Sequence, residues 1–225
     1  MSDFLSDITK IRARAREHMD RGPITESYKA DRTKVIAVLN EALATEIVCV
    51  LRYKRHYYMA TGINADPVGQ EFLEHANEEQ MHADQIAQRI TQLQGAPNFN
   101  PDGLTSRSHS EYIEGTSLED MLREDLVAER IAIQSYREMI KFFGENDSTS
   151  RRLMEEILAV EEEHADDIAD LLFAVEPDNV ENTQKLYFAE EVPGQSDAGK
   201  PVKSENAPKA QKKGKKAKAA RGGRY

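Results

Sequence analysis

Apolar side chains recur at helical steps through most of this sequence, and in four stretches one or more polar residues sit inside the apolar stripe. Between about residues 31 and 60 the stripe reads Val35, Leu39, Ala42, Glu46, Cys49 and Tyr53, in steps of four and three. From about 66 to 94 it reads Phe72, His75, Glu79, His82 and Ile86, and from 117 to 144 Leu118, Leu122, Leu126, Glu129, Ile133 and Tyr136. Over 148–175 it reads Leu153, Ile157, Glu161, His164, Ile168 and Leu172. Each stretch predicts an amphipathic helix with one seam facing a core. A shorter stretch near residues 3–18, with Phe4, Ile8, Ile11 and Ala15 on one side, predicts a further amphipathic helix ahead of Gly22-Pro23. No strand-like alternation of useful length occurs.

The breaks between these stretches predict their connectivity. Thr61-Gly62 ends one helix and Asp66-Pro67 opens the next, with proline in the first turn, where its missing N–H costs nothing. Ser117, with Asp120 three positions on, forms a near capping box, and Gly144 closes that helix. Short links make residues 31–94 one antiparallel hairpin and residues 117–175 another. The segment from Gly95 to Thr116, rich in Gly, Pro, Asn and Ser, joins them. Extended, it reaches about 70 Å, enough to run back along a helix of about 40 Å. Two hairpins and one long crossover predict an all-α, ferritin-like four-helix bundle.

The polar residues in the seams form one constellation written twice. Glu46 is followed one helix later by Glu79 and then His82, and Glu129 is followed at a nearly equal interval by Glu161 and then His164. Four ionised carboxylates facing one core would each cost several kcal/mol to desolvate. Two divalent cations carry the charge that balances them and leave both imidazoles neutral as donors. Glu and His three apart project from one helix face, so each Glu-x-x-His can give nitrogen to one metal while its carboxylate reaches the other. Oxygen and nitrogen ligands without thiolate favour iron or manganese over a structural zinc.

Charge divides the chain further. The net charge is −10, yet residues 200–225 hold ten Lys or Arg and one acid, a local +9, so residues 1–199 carry −19. Lys212, Lys213, Lys215, Lys216, Lys218, Arg221 and Arg224 belong to that tail, which has almost no large apolar residues and is expected to be disordered. The expected division is an N-terminal helix over 1–24, the bundle over 25–178, and an extension over 179–225 that is Lys/Arg-rich from about residue 200. The tail suits contact with DNA phosphates or with the assembly, without reading bases. The absence of an apolar run of about 20 residues predicts no membrane span. A single cysteine, Cys49, and an N-terminus without a signal-like stretch predict a cytoplasmic protein, with nucleoid association through the tail.

Several segments carry a resemblance. Leu39-Asn40-Glu41 with Leu43 and Glu46, Glu78-Glu79-Gln80-Met81-His82-Ala83-Asp84, Asp125-Leu126 with Glu129, and Ile157-Leu158 with Glu161-Glu162 and His164 resemble the bacterioferritins. The likeness covers roughly residues 28–175. It implies two Fe per subunit, bridged by Glu79 and Glu161, with Glu46 and His82 completing one iron and Glu129 and His164 the other. It implies that Tyr53 lies beside the site, to hydrogen-bond a ligand or donate an electron. It further implies a homo-oligomeric cage, with 24 subunits expected and 12 the alternative. Three departures mark this chain. Gln80 stands where the family's haem-ligating methionine would be, which argues against haem. Glu74 and Glu78 replace the family's cavity-side histidine and aspartate, as oxygen ligands for iron transfer. The first helix and the basic tail are additions.

The expected function is a ferroxidase that oxidises Fe(II) with dioxygen or hydrogen peroxide and stores Fe(III), with DNA protection through the tail. The alternatives are a dimanganese catalase or another di-iron oxidase without storage, and a nucleoid-associated DNA-binding protein. Other polar and aromatic residues on the seams read as structure. Cys49 is expected as a small core residue, Tyr136 as packing, and His56 and His75 as hydrogen-bonded helix residues, while His109 lies in the crossover.

Overall fold

A computed structural model describes residues 7–63 and 65–175. The Lys/Arg-rich tail read from the sequence, with Lys212, Lys213, Lys215, Lys216, Lys218, Arg221 and Arg224, lies outside the described residues.

Among the described residues six α-helices run in the order α1 (Ile8–Arg14), α2 (Arg32–Met59), α3 (Ala65–Gln92), α4 (Leu104–Arg107), α5 (Leu118–Phe143) and α6 (Ser148–Val175). The long helices hold 28, 28, 26 and 28 residues, about 40 Å each. α2 packs along α3 and α5 along α6, two antiparallel hairpins, and the crossover carries α4 back against α2. The chain thus adopts the all-α, ferritin-like four-helix bundle its hydrophobic pattern predicts.

Local chemistry explains the helix ends. Asp31 caps α2 by accepting from the Lys34 N–H. Ser117 caps α5 by accepting from the Asp120 N–H, while the Asp120 carboxylate reaches back to Thr116 N and Oγ rather than to Ser117. At the end of α3, Gly95 N–H returns to Ile90 O across Gln94, which takes the left-handed conformation (φ 57°). Gly95 is needed there for closeness: a Cβ would stand 2.9 Å from both Ile36 and Ile90.

The N-terminal region departs from the expectation. Among the described residues the helix predicted near 3–18 runs over Ile8–Arg14, and none of those residues is buried; residues 3–6 of the prediction lie outside the described residues. The chain turns after Arg14. The apolar interior forms two clusters. One holds Leu39, Leu43, Ile86, Ile90, Tyr136, Phe143, Met154 and Ile157; the other holds Cys49, Tyr53, Phe72, Leu122 and Ile168. In every long helix the candidate ligands fall between the two clusters, so the polar belt is walled by hydrocarbon above and below.

Candidate metal centre

All six candidate ligands are buried: Glu46, Glu79, Glu129, Glu161 and His164 are no more than 1% exposed and His82 is 5%. Their donor atoms fall into two groups, Glu46, Glu79, His82 and Glu161, and Glu79, Glu129, Glu161 and His164, with the atoms of each group within 4.8 Å of one another. Glu79 and Glu161 belong to both. Nδ1 of His82 lies 3.4 Å from Glu46, 3.4 Å from Glu79 and 3.1 Å from Glu161. Nδ1 of His164 lies 3.7 Å from Glu79 and 3.8 Å from Glu161.

Many of these atoms have no hydrogen-bond partner. Glu46 Oε2, Glu79 Oε1, Glu129 Oε2, both oxygens of Glu161 and Nδ1 of His164 are buried and unsatisfied. A folded protein rarely leaves so many polar atoms orphaned in one place, because each costs about 1–3 kcal/mol. Converging carboxylate and imidazole donors with free lone pairs are what a pair of divalent cations requires, so the residues present fit such a pair.

Without cations, protons do the neutralising. Burial, then the charge of Glu79, pushes Glu46 and Glu161 well above the usual carboxylate range, and the same two causes raise Glu129. Burial opposes ionisation of Glu79 too, but the close approach of Glu46 and of both histidines holds it well below that range. Burial works against charge on the imidazoles; the surrounding carboxylates nevertheless lift His82 far above its usual value and His164 up to about 9.

Contacts around the ligands hold them in place. The Tyr53 hydroxyl donates to Glu129 Oε1. Glu78, read from the sequence as an iron-transfer residue, is the 2.6 Å partner of His164 Nε2, while Glu74 is exposed on the outside of α3. Behind Glu129, buried Asp125 joins Arg52 Nε at 2.7 Å and His56 Nδ1 at 2.7 Å. Arg52 and His56 in turn bond to the crossover carbonyls of Glu111 and Ile113. A groove lined by Glu78, Met81, His82, Gln85, Glu156 and Ile157 leads from the surface to His82.

The remaining residues follow the sequence reading with one exception. Cys49 is buried, and burial raises its thiol pKa, as befits a core residue. Tyr136 packs in an apolar cluster and His56 is hydrogen-bonded, as expected. His75, also expected to be hydrogen-bonded, makes no hydrogen bond through either ring nitrogen; its ring stacks on His164 at 3.9 Å and meets the edge of Tyr53 at 5.3 Å. Gln80 is exposed and donates to Asp84. The contact of Glu78 with His164 and that of Asp125 with Arg52 carry no sequence signal: Glu78 reads from the sequence only as an iron-transfer residue, and Arg52 and Asp125 lie on different hairpins, far apart in the chain.

A two-hairpin bundle with a lone glutamate and a Glu-x-x-His in each half defines the carboxylate-bridged di-metal class. The chain belongs to the ferritin-like family, whose ferritin-like domain matches residues 36–176. It is a distant relative of the bacterioferritins: it is 32% identical to the bacterioferritin of Brucella melitensis over 134 residues, covering 59% of this chain and 79% of that one. Among solved structures it resembles the dodecameric thioferritin, a bacterioferritin-related protein, of Bacteroides fragilis, with TM-score 0.63 and 32% identity over 71% of this chain and 93% of that one. The Desulfovibrio desulfuricans bacterioferritin shares the fold, with TM-score 0.57 and 24% identity over 77% of this chain and 95% of that one. Among the described residues no helix is long and apolar enough to cross a membrane.

Proposed function

We propose that this protein is a ferroxidase that takes up Fe(II) and stores it as Fe(III) inside a protein cage. The observation that carries the reading is the pair of ligand groups sharing Glu79 and Glu161. A carboxylate common to two groups is placed to bridge two ions, with Glu46 and His82 completing one site and Glu129 and His164 the other. Fe(II) is the substrate, and each ion gives up one electron to dioxygen or hydrogen peroxide.

The chain supplies geometry, charge and dryness. Four carboxylates offset the charge of two incoming ions, and protons held by His82, His164 and the raised carboxyls leave as they bind. Glu78 fixes the ring of His164, and Tyr53 orients Glu129 and stands close enough to supply an electron. The groove beside His82 offers a route from solvent. The apolar clusters above and below exclude bulk water, which strengthens each electrostatic contact inside.

The bacterioferritin kinship and the dodecameric relative support a closed homo-oligomer. A cage of twelve subunits has half the mass of one of twenty-four, so light scattering separates them. Aerobic loading with excess Fe(II) is expected to leave many irons per subunit in that particle. Two per subunit would instead mark a di-metal enzyme without storage, dimanganese-catalase-like if it evolves oxygen from peroxide and another di-iron oxidase if it does not. Glu79→Ala is expected to abolish rapid Fe(II) oxidation; an unchanged rate would sink the site assignment.

The charge asymmetry supports a second role, contact between the +9 tail and nucleic-acid phosphates. Removal of residues 200–225 is expected to abolish retardation of duplex DNA at low salt. Equal retardation by the shortened chain would rule the tail out.

A further inference from the structure

One cluster of donors lies apart from the six residues of the di-metal centre. Glu71 and His75 stand one helical turn apart on α3, and Asp167 faces them from α6; one donor atom from each lies within 4.8 Å of the others. We propose that Glu71, His75 and Asp167 form a third cation site, which takes a divalent transition ion such as Zn(II), Co(II), Mn(II) or Fe(II).

The observation that points to a ligand is His75. The residue is 1% exposed, yet neither ring nitrogen makes a hydrogen bond. Buried imidazoles ordinarily satisfy at least one nitrogen, so an unpaired one facing oxygen donors is an unmet coordination demand. Nε2 faces two carboxylates, with Glu71 Oε1 at 3.3 Å and Asp167 Oδ2 at 3.9 Å. The ring is also held firmly, stacked on His164 at 3.9 Å and edge-on to Tyr53 at 5.3 Å. A fixed nitrogen donor with two carboxylates closing on it is a three-ligand O/N set that leaves further positions to water.

The two carboxylates are the movable part. The Glu71 side chain is 30% exposed and that of Asp167 48%, so an ion reaches them from solvent and their oxygens can shift by the few tenths of an ångström that coordination needs. His75 alone is buried, so the site has one rigid wall and one open side. Its ring contact with His164 places the third ion next to the di-metal centre without sharing a ligand with it. The site stands whether or not ions pass between the two.

The test uses the full-length, metal-free protein and redox-inert ions. Anaerobic calorimetric titration with Co(II) or Zn(II) is expected to give three tight ions per subunit in the parent and two in the Glu71→Gln, Asp167→Asn double variant. Both substitutions fall on partly exposed side chains, which keeps the variant foldable. Crystals of the parent soaked in the same ion, measured at its absorption edge, are expected to show an anomalous peak about 2.0–2.1 Å from His75 Nε2. Three ions retained by the double variant, or no anomalous peak at His75 in the parent, would overturn the proposal. The diffraction result decides even if the variant fails to fold.

Discussion

Glu78 Oε2 lies 2.6 Å from Nε2 of His164, and this contact leaves the opposite ring nitrogen, Nδ1, facing Glu79 and Glu161. A carboxylate behind a ligating imidazole sets its tautomer and orientation and raises its basicity. Glu78 is therefore placed to act on the site through His164.

Replacing Glu78 with Ala frees the His164 ring while leaving all six ligands in place. Affinity for the ion at the Glu129 and His164 side is expected to fall roughly ten- to hundred-fold. Competitive Co(II) titration with absorption detection measures it, and unchanged affinity at both sites would show that packing alone orients the ring.

Metal-free stability is expected to fall as pH rises. His164, lifted to about 9, and His82, lifted further, keep protons that the unfolded chain loses near about 6.5. Their stabilisation is fully present below about 6.5 and lost as pH climbs through the folded values. The raised carboxyls of Glu46, Glu129 and Glu161 act in the same direction above about 4.3, because the folded protein again holds protons the unfolded chain has released. Tm in the presence of a chelator should decline from about pH 5 to 9, and saturating Zn(II) should flatten the decline. A Tm that rises over this range in the chelated protein contradicts the assigned protonation.

Tyr53 donates its hydroxyl to Glu129 while its ring packs near Phe72 and His75. Tyr53→Phe keeps the ring and removes only the donor. A hydrogen bond to a charged group contributes about 1.5–3 kcal/mol, so Fe(II) oxidation is expected to slow by roughly ten-fold or more with a native circular dichroism spectrum. An unaltered stopped-flow rate would reduce Tyr53 to a packing residue.

Asp125 is fully buried against Arg52, whose side chain is only 1% exposed. Asp125→Ala strands the guanidinium and loosens the crossover at Glu111 and Ile113, at a cost of about 3–5 kcal/mol. Urea denaturation of the metal-free protein reads this directly. A loss below about 1 kcal/mol would mean that water or a rearranged Arg52 replaces the carboxylate.

The helical bundle, its two hairpins and the six inward-facing Glu and His residues are determined by the sequence by itself. A regular helical period commits a side chain to a face, and Glu46, Glu79, His82, Glu129, Glu161 and His164 sit on apolar faces where carboxylates have no reason to be without a counter-charge. What that period cannot say is which faces meet at one height. The sharing of Glu79 and Glu161 between two groups, the pairing of Glu78 with His164, and the tie from Arg52 and His56 through Asp125 to the crossover depend on the relative sliding of helices far apart in sequence. That α1 buries none of its residues belongs to the same class, since an apolar face is only an offer of contact and the fold decides whether a surface accepts it. His75 shows the difference most plainly: its place on the seam was set by its position in the helix, but only the approach of α6 brought Asp167 and the ring of His164 against it and left its two nitrogens unpaired.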